Sequence, residues 1–157
     1  MKAHTTTDHT RAIELVQELL SMGASLAGLQ GVDRDDLEQV YAYGYALFEG
    51  GDLEAARRTF YTLAYLDNSR FEYWLALGLT LQRMGEHKEA LACFARSGAI
   101  GLSDPRSAYL AGVSFVILGN PTHASKAFDA AIKWCGKRPE HQALRMKAEQ
   151  SLVQCNK

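Results

Sequence analysis

Much is missing from this sequence, and each absence removes a class of function. The charges nearly cancel, 17 Lys and Arg against 18 Asp and Glu in 157 residues. No basic field exists to hold a phosphate backbone, and nucleic acid is excluded as a partner. Cysteine occurs three times, at Cys93, Cys135 and Cys155. The odd number and wide spacing provide neither a CxxC redox pair nor a zinc framework, and they suit a reducing compartment. The longest uncharged apolar stretch, Ala108 to Leu118, carries Ser114 and falls short of the ~20 residues of a membrane span. The opening MKAHTTTDHTR has neither the apolar core nor the cleavage site of a secretory signal, so a cytoplasmic protein is expected.

Catalytic and metal signatures are equally scarce. Of five histidines, His4, His9, His87, His123 and His141, none stands at ligand spacing from a carboxylate or cysteine. Glu140 and His141 are neighbours in sequence, which puts them on different sides of a helix. No glycine-rich phosphate loop or nucleophile elbow occurs, and Ser114 within AGVSFV is expected to bond its own helix backbone. The expectation is a protein with no enzymatic activity, no metal and no cofactor.

What the sequence does contain is a repeat. GDLEAARRTF, GEHKEALACF and GNPTHASKAF start at Gly51, Gly85 and Gly119, 34 residues apart both times. Ala56, Ala90 and Ala124 keep register, as do Phe60, Phe94 and Phe128, and a further glycine lies seven residues upstream of each start, at Gly44, Gly78 and Gly112. A period of 34 is that of a tetratricopeptide unit, two antiparallel helices joined by a tight turn. The upstream glycines fall where the paired helices approach closely, and Gly51, Gly85 and Gly119 supply the φ > 0 that ends the first helix of each pair.

This settles QVYAYGYALFEGG, residues 39–51, whose alternating Tyr41, Tyr43 and Tyr45 would otherwise suggest a strand. It is predicted to be a helix that is apolar nearly all round. Val40, Gly44 and Leu47 form the stripe that packs within the repeat. Tyr41, Tyr45 and Phe48 form a second stripe rotated by one residue, about 100°. In stacked units the first helices line a concave surface, and this second stripe faces into it. The same register puts Leu75, Leu79, Gln82 and Arg83, then Arg106, Tyr109, Val113 and Val116, along the groove. The aromatic stripe has a plainer alternative, burial against the N-terminal helix or a second copy of the chain.

The predicted fold is an all-α superhelix. Residues 1–9 are expected to be disordered and 10–32 to form an N-terminal helical region. Residues 33–157 hold three repeats, at about 37–70, 71–104 and 105–138, closed by a capping helix whose inner face is Leu144, Ala148, Leu152 and Cys155.

With a leader containing GASLAGLQGVDRDDLEQV, three such repeats with LDNSRFEYWLALGLTLQRMGEHKEAL and SGAIGLSDPRSAYLAG, and a closing helix, the chain resembles the class II chaperones of bacterial type III secretion over residues 15–155. That resemblance implies a cytoplasmic chaperone that guards hydrophobic translocator proteins by holding an extended segment of them in its groove. In such chaperones proline and leucine side chains of the client meet aromatics of the first repeat, matched here by Tyr41, Tyr45 and Phe48. The family often has an aromatic where this chain has Leu53. It also implies homodimers through the N-terminal helix, for which Ile13, Val16 and Leu20 are the candidates. The rival readings are a tetratricopeptide adaptor gripping a C-terminal carboxylate, and a structural subunit of a secretion or pilus apparatus.

Overall fold

A computed structural model describes residues 34–155 together with Thr10, Arg11, Glu14 and Gln17, four residues in helical conformation. The dimerisation candidates Ile13, Val16 and Leu20, and the segment 1–9, lie outside the described residues. Seven α-helices follow from residue 34: α1 (Arg34–Gly50), α2 (Leu53–Leu66), α3 (Phe71–Arg83), α4 (His87–Ile100), α5 (Pro105–Ile117), α6 (Pro121–Cys135) and α7 (Gln142–Cys155). A 3₁₀ turn, Pro139–His141, precedes the last. Among the described residues there is no strand, and the architecture is the expected all-α tetratricopeptide array: each helix packs chiefly on its neighbours in sequence. The tyrosine-rich stretch is helical throughout α1.

One turn, built three times, makes the helix pairs. Gly51, Gly85 and Gly119 have φ of 86°, 85° and 71°. In each case the next residue's N–H donates back five residues: Asp52 to the Leu47 carbonyl at 3.0 Å, Glu86 to Leu81 at 2.9 Å and Asn120 to Phe115 at 2.9 Å. This is the Schellman arrangement, in which a left-handed residue lets the chain turn back onto the last carbonyls of the helix. Two of these residues also open the following helix. Asp52 Oδ1 accepts from Ala55 N at 3.1 Å, and Asn120 Oδ1 from His123 N at 3.2 Å.

Within each pair a phenyl ring from the second helix rests on bare backbone of the first. Phe60, Phe94 and Phe128 are at most 2% exposed, and Ala56, Ala90 and Ala124 are fully covered. A Cβ added at Gly44, Gly78 or Gly112 would stand 2.7, 2.6 or 2.5 Å from the Cε1 of its partner ring, which is no distance for two carbons. The glycine therefore sets how closely the helices approach. Burying each ring contributes roughly 1.5–3 kcal/mol, more than the ~1 kcal/mol that glycine costs inside a helix.

Between repeats the seams are mixed. Ser97 and Ser107 share a buried hydroxyl contact at 2.6 Å, and Phe71 lies against Gly101. The expectation for Ser114 is corrected here. Its Oγ accepts from Gln82 Nε2 at 2.8 Å and lies 3.2 Å from His87 Nδ1, so it ties α5 to α3 and α4 rather than bonding its own helix. The closing helix α7 buries Ala148 completely, with Leu144, Leu152 and Cys155 partly covered on the same side.

Candidate functional site: the aromatic face of the first helices

The second stripe of α1 stands half-buried, on rings supplied by its neighbours. Tyr45 is the hub: its centroid is 5.1 Å from Tyr41, 5.4 Å from Phe60 and 6.2 Å from Phe48, all edge-on. Tyr41 leans on Phe60 at 5.9 Å and Tyr73 at 5.4 Å. Phe60 and Tyr73 are buried, so the three stripe residues rest on a fixed aromatic floor. Such edge-to-face pairs each contribute about 0.5–1.5 kcal/mol beyond area burial. Burial, reinforced by a hydrogen bond with Tyr45, pushes the Tyr41 phenol far above its ordinary value, and the group stays neutral at any physiological pH. The face is thus apolar with neutral hydroxyls at its edge.

The two cations of the predicted groove are already engaged. Arg83 Nη1 donates to the Phe48 carbonyl at 2.7 Å, and its guanidinium lies 4.9 Å from the Phe48 ring centroid. It caps the last turn of α1 and covers part of Phe48. Arg106 is bidentate to Asp104, with Nε and Nη2 at 3.0 and 2.7 Å, and stacks 4.9 Å over the Phe71 ring. Arg106 already has its carboxylate in Asp104, and Arg83 is turned onto the end of α1.

Two expected groove residues take other roles. Leu75 is 4% exposed and belongs to the core, so it offers a guest almost no surface. The position that is half-open at Tyr41 is closed there. Gln82 is half-buried and spends its amide N–H groups on the Leu110 carbonyl, at 2.9 Å, and on Ser114. It braces α3 against α5. Leu79, Tyr109 and Val113 are half-buried, Tyr109 lies 5.8 Å from Phe128, and Val116 is 48% exposed. Sequence reasoning missed Ile117, one residue beyond the chosen stripe and 59% exposed. Its place at the end of the apolar run 108–118, one helical turn from Val113, was the available signal.

Among the described residues no group of three His, Cys, Asp or Glu side chains is placed to hold a metal ion, and no helix is long and apolar enough to cross a membrane. Cys93, Cys135 and Cys155 are free thiols, and burial pushes Cys93 up to about 11.

Comparison with known proteins agrees with this geometry. Tetratricopeptide repeat families match residues 37–69 and 71–97. Low calcium response locus protein H of Yersinia pseudotuberculosis is 27% identical over 140 residues, 88% of this chain and 83% of that protein. The type III secretion chaperone SycD of Yersinia enterocolitica, solved with a peptide of the translocator YopD, shares the fold: TM-score 0.78 and 23% identity over 81% of this chain and 97% of that one. PcrH of Pseudomonas aeruginosa is 30% identical and superimposes with a TM-score of 0.80, covering 84% of this chain and all of that one. The chain belongs to the tetratricopeptide-repeat chaperones of type III secretion. PcrH has also been solved in complex with the chaperone binding region of PopD, and that structure covers 80% of this chain and 95% of its own at 28% identity, TM-score 0.79. SycD and PcrH have thus each been solved with a segment of another protein bound.

Proposed function

We propose that this chain is a cytoplasmic, non-catalytic chaperone that holds an extended apolar segment of a hydrophobic type III secretion translocator across α1, α3 and α5, keeping the client soluble and competent for secretion. The observation that carries this reading is the half-buried ring cluster Tyr41, Tyr45 and Phe48 on its Phe60 and Tyr73 floor. The 30% identity to PcrH along the whole of that chain supports it. Translocators carry membrane-inserting segments that would aggregate if released in water, so capture has to precede folding. An extended client seating three apolar anchors gains ~1.5–3 kcal/mol from each, partly offset by the cost of ordering it. Micromolar to nanomolar affinity is expected.

Co-expression with a hydrophobic type III secretion translocator from the same bacterium tests the reading. The client should be soluble and co-purify with this chain, and aggregate without it; a client equally soluble alone would overturn the proposal. The same reading assigns self-association to the N-terminal residues Ile13, Val16 and Leu20. A chain lacking residues 1–21 is expected to sediment as a monomer, and a persisting dimer would move the contact elsewhere.

A further inference from the structure

The concave face does not end at the third repeat. Where α5 meets α7 there is a hollow of about 360 Å³, lined by Val113, Val116 and Ile117 from α5 and by Ser151, Gln154 and Cys155 from the closing helix, with Pro121 and Phe128 of α6 completing it. Val113 stands 34 residues after Leu79, which stands 34 after Tyr45, so the hollow continues the stripe that begins with the aromatic cluster. Val116 and Ile117 are 48% and 59% exposed, an apolar surface that the scaffold leaves uncovered. No charged residue lines it. The larger hollow, about 520 Å³, is lined from α2, α3 and α4 by residues such as Tyr61, Trp74 and Leu81, none of which belongs to that stripe, so a chain stretched along the stripe does not cross it.

We propose that this α5–α7 hollow is a distal anchor subsite for the same guest polypeptide, taking one aliphatic side chain of leucine or methionine size. The inference rests on the proposed function and names a second, specificity-determining contact for it. A dry cavity of about 150 Å³ already accepts a benzene ring, so the volume is ample for one such side chain. Ser151 and Gln154 supply polar groups at the rim, where an extended guest must find partners for its backbone N–H and C=O groups. Spacing follows from geometry. Tyr45 and Val113 are separated by two helix-to-helix steps of roughly 8–10 Å each, and an extended chain advances roughly 3.3–3.6 Å per residue. The distal anchor therefore lies about five or six residues from the one seated on Tyr45.

The test titrates a synthetic peptide of the PopD chaperone binding region into the full chain and into two variants. Ile117→Asp puts a charge into the hollow at an exposed position, and Gln154→Trp, also exposed, obstructs its rim. Each should weaken the peptide about tenfold or more, the worth of one buried aliphatic anchor. The loss should vanish for one particular peptide, the one carrying alanine at the distal anchor, about five or six residues from the residue whose own alanine change is non-additive with Tyr45→Ala. Unchanged affinity in both variants, with Tyr45→Glu still abolishing binding, overturns the subsite and leaves the groove standing. A change in sedimentation in place of peptide affinity assigns the hollow to a second copy and also overturns it. If the unaltered chain does not bind the peptide, the proposed function fails, and the subsite fails with it.

Discussion

Replacing Tyr45 with glutamate is expected to abolish capture of a translocator segment while leaving helical circular dichroism unchanged. Tyr45 joins Tyr41, Phe48 and Phe60 at 5.1 to 6.2 Å, so it is the ring through which the rest of the cluster is organised. A carboxylate there must keep its water, and a guest anchor that displaces that water strips the charge of its hydration. Arg83 and Arg106, the cations assigned to the same face, would have to give up contacts with the Phe48 carbonyl and with Asp104 to pair with it. The desolvation penalty, several kcal/mol for an unpaired charge, exceeds what one anchor contributes, so affinity should fall by at least about a hundredfold. Helix content should survive because Tyr45 is only half-buried and glutamate is a good helix former. Tyr45→Phe separates ring from hydroxyl: it keeps the edge contacts and should bind nearly as well as the unaltered chain. Titration calorimetry with the PopD peptide reads both variants. Undiminished binding by the glutamate variant would place the guest on another face of the molecule.

The fold was legible because its decisive residues recur. Glycine, alanine and phenylalanine return every 34 residues, and the spacing identifies the turn, the helix pair and the seam between them. What a period cannot convey is each unit's position in the stack. Tyr41, Leu75 and Tyr109 are equivalent by register, yet Leu75 is closed off in the core while Tyr41 and Tyr109 stay half-open. Burial follows the particular neighbours of each position rather than register. Hydrogen bonds across units were invisible for the same reason. Gln82, His87 and Ser114 belong to three helices, and only the superhelical stacking brings them together. Arg83 over Phe48 is a further case: the sequence places both near the groove, but not one on top of the other. The N-terminal contact inferred for Ile13, Val16 and Leu20 lies outside the described residues, and it stands on resemblance alone.

The largest stability effects should come from the glycine–phenylalanine lock of the middle repeat. Phe94 is 2% exposed and lies on the bare backbone at Gly78. Phe94→Ala removes the ring and leaves a void that the paired helices cannot easily close, for a loss of about 3–5 kcal/mol. For a chain of this length that lowers the melting temperature by roughly 10 °C, at about 2–4 °C per kcal/mol. Gly78→Ala tests the other half of the contact. On an exposed helix it would stabilise by about 1 kcal/mol. Here the new Cβ would stand 2.6 Å from Phe94 Cε1, 2.8 Å from Cδ1 and 3.2 Å from Cys93 Cβ. The ring is enclosed and cannot swing aside, so overpacking, about 1–3 kcal/mol, should outweigh the propensity gain. Coupling is the sharper readout: Gly78→Ala combined with Phe94→Ala removes both ring carbons that clash, and the pair should be less destabilised than the sum of its members by about 1 kcal/mol. Urea unfolding measures all three variants, and a stabilised Gly78→Ala would mean the helices are free to separate at this point. The link to function is the spacing of α1, α3 and α5, which the three locks hold constant against α2, α4 and α6. A guest stretched across those helices needs anchors at fixed intervals, and only a scaffold that cannot breathe at its glycines keeps them.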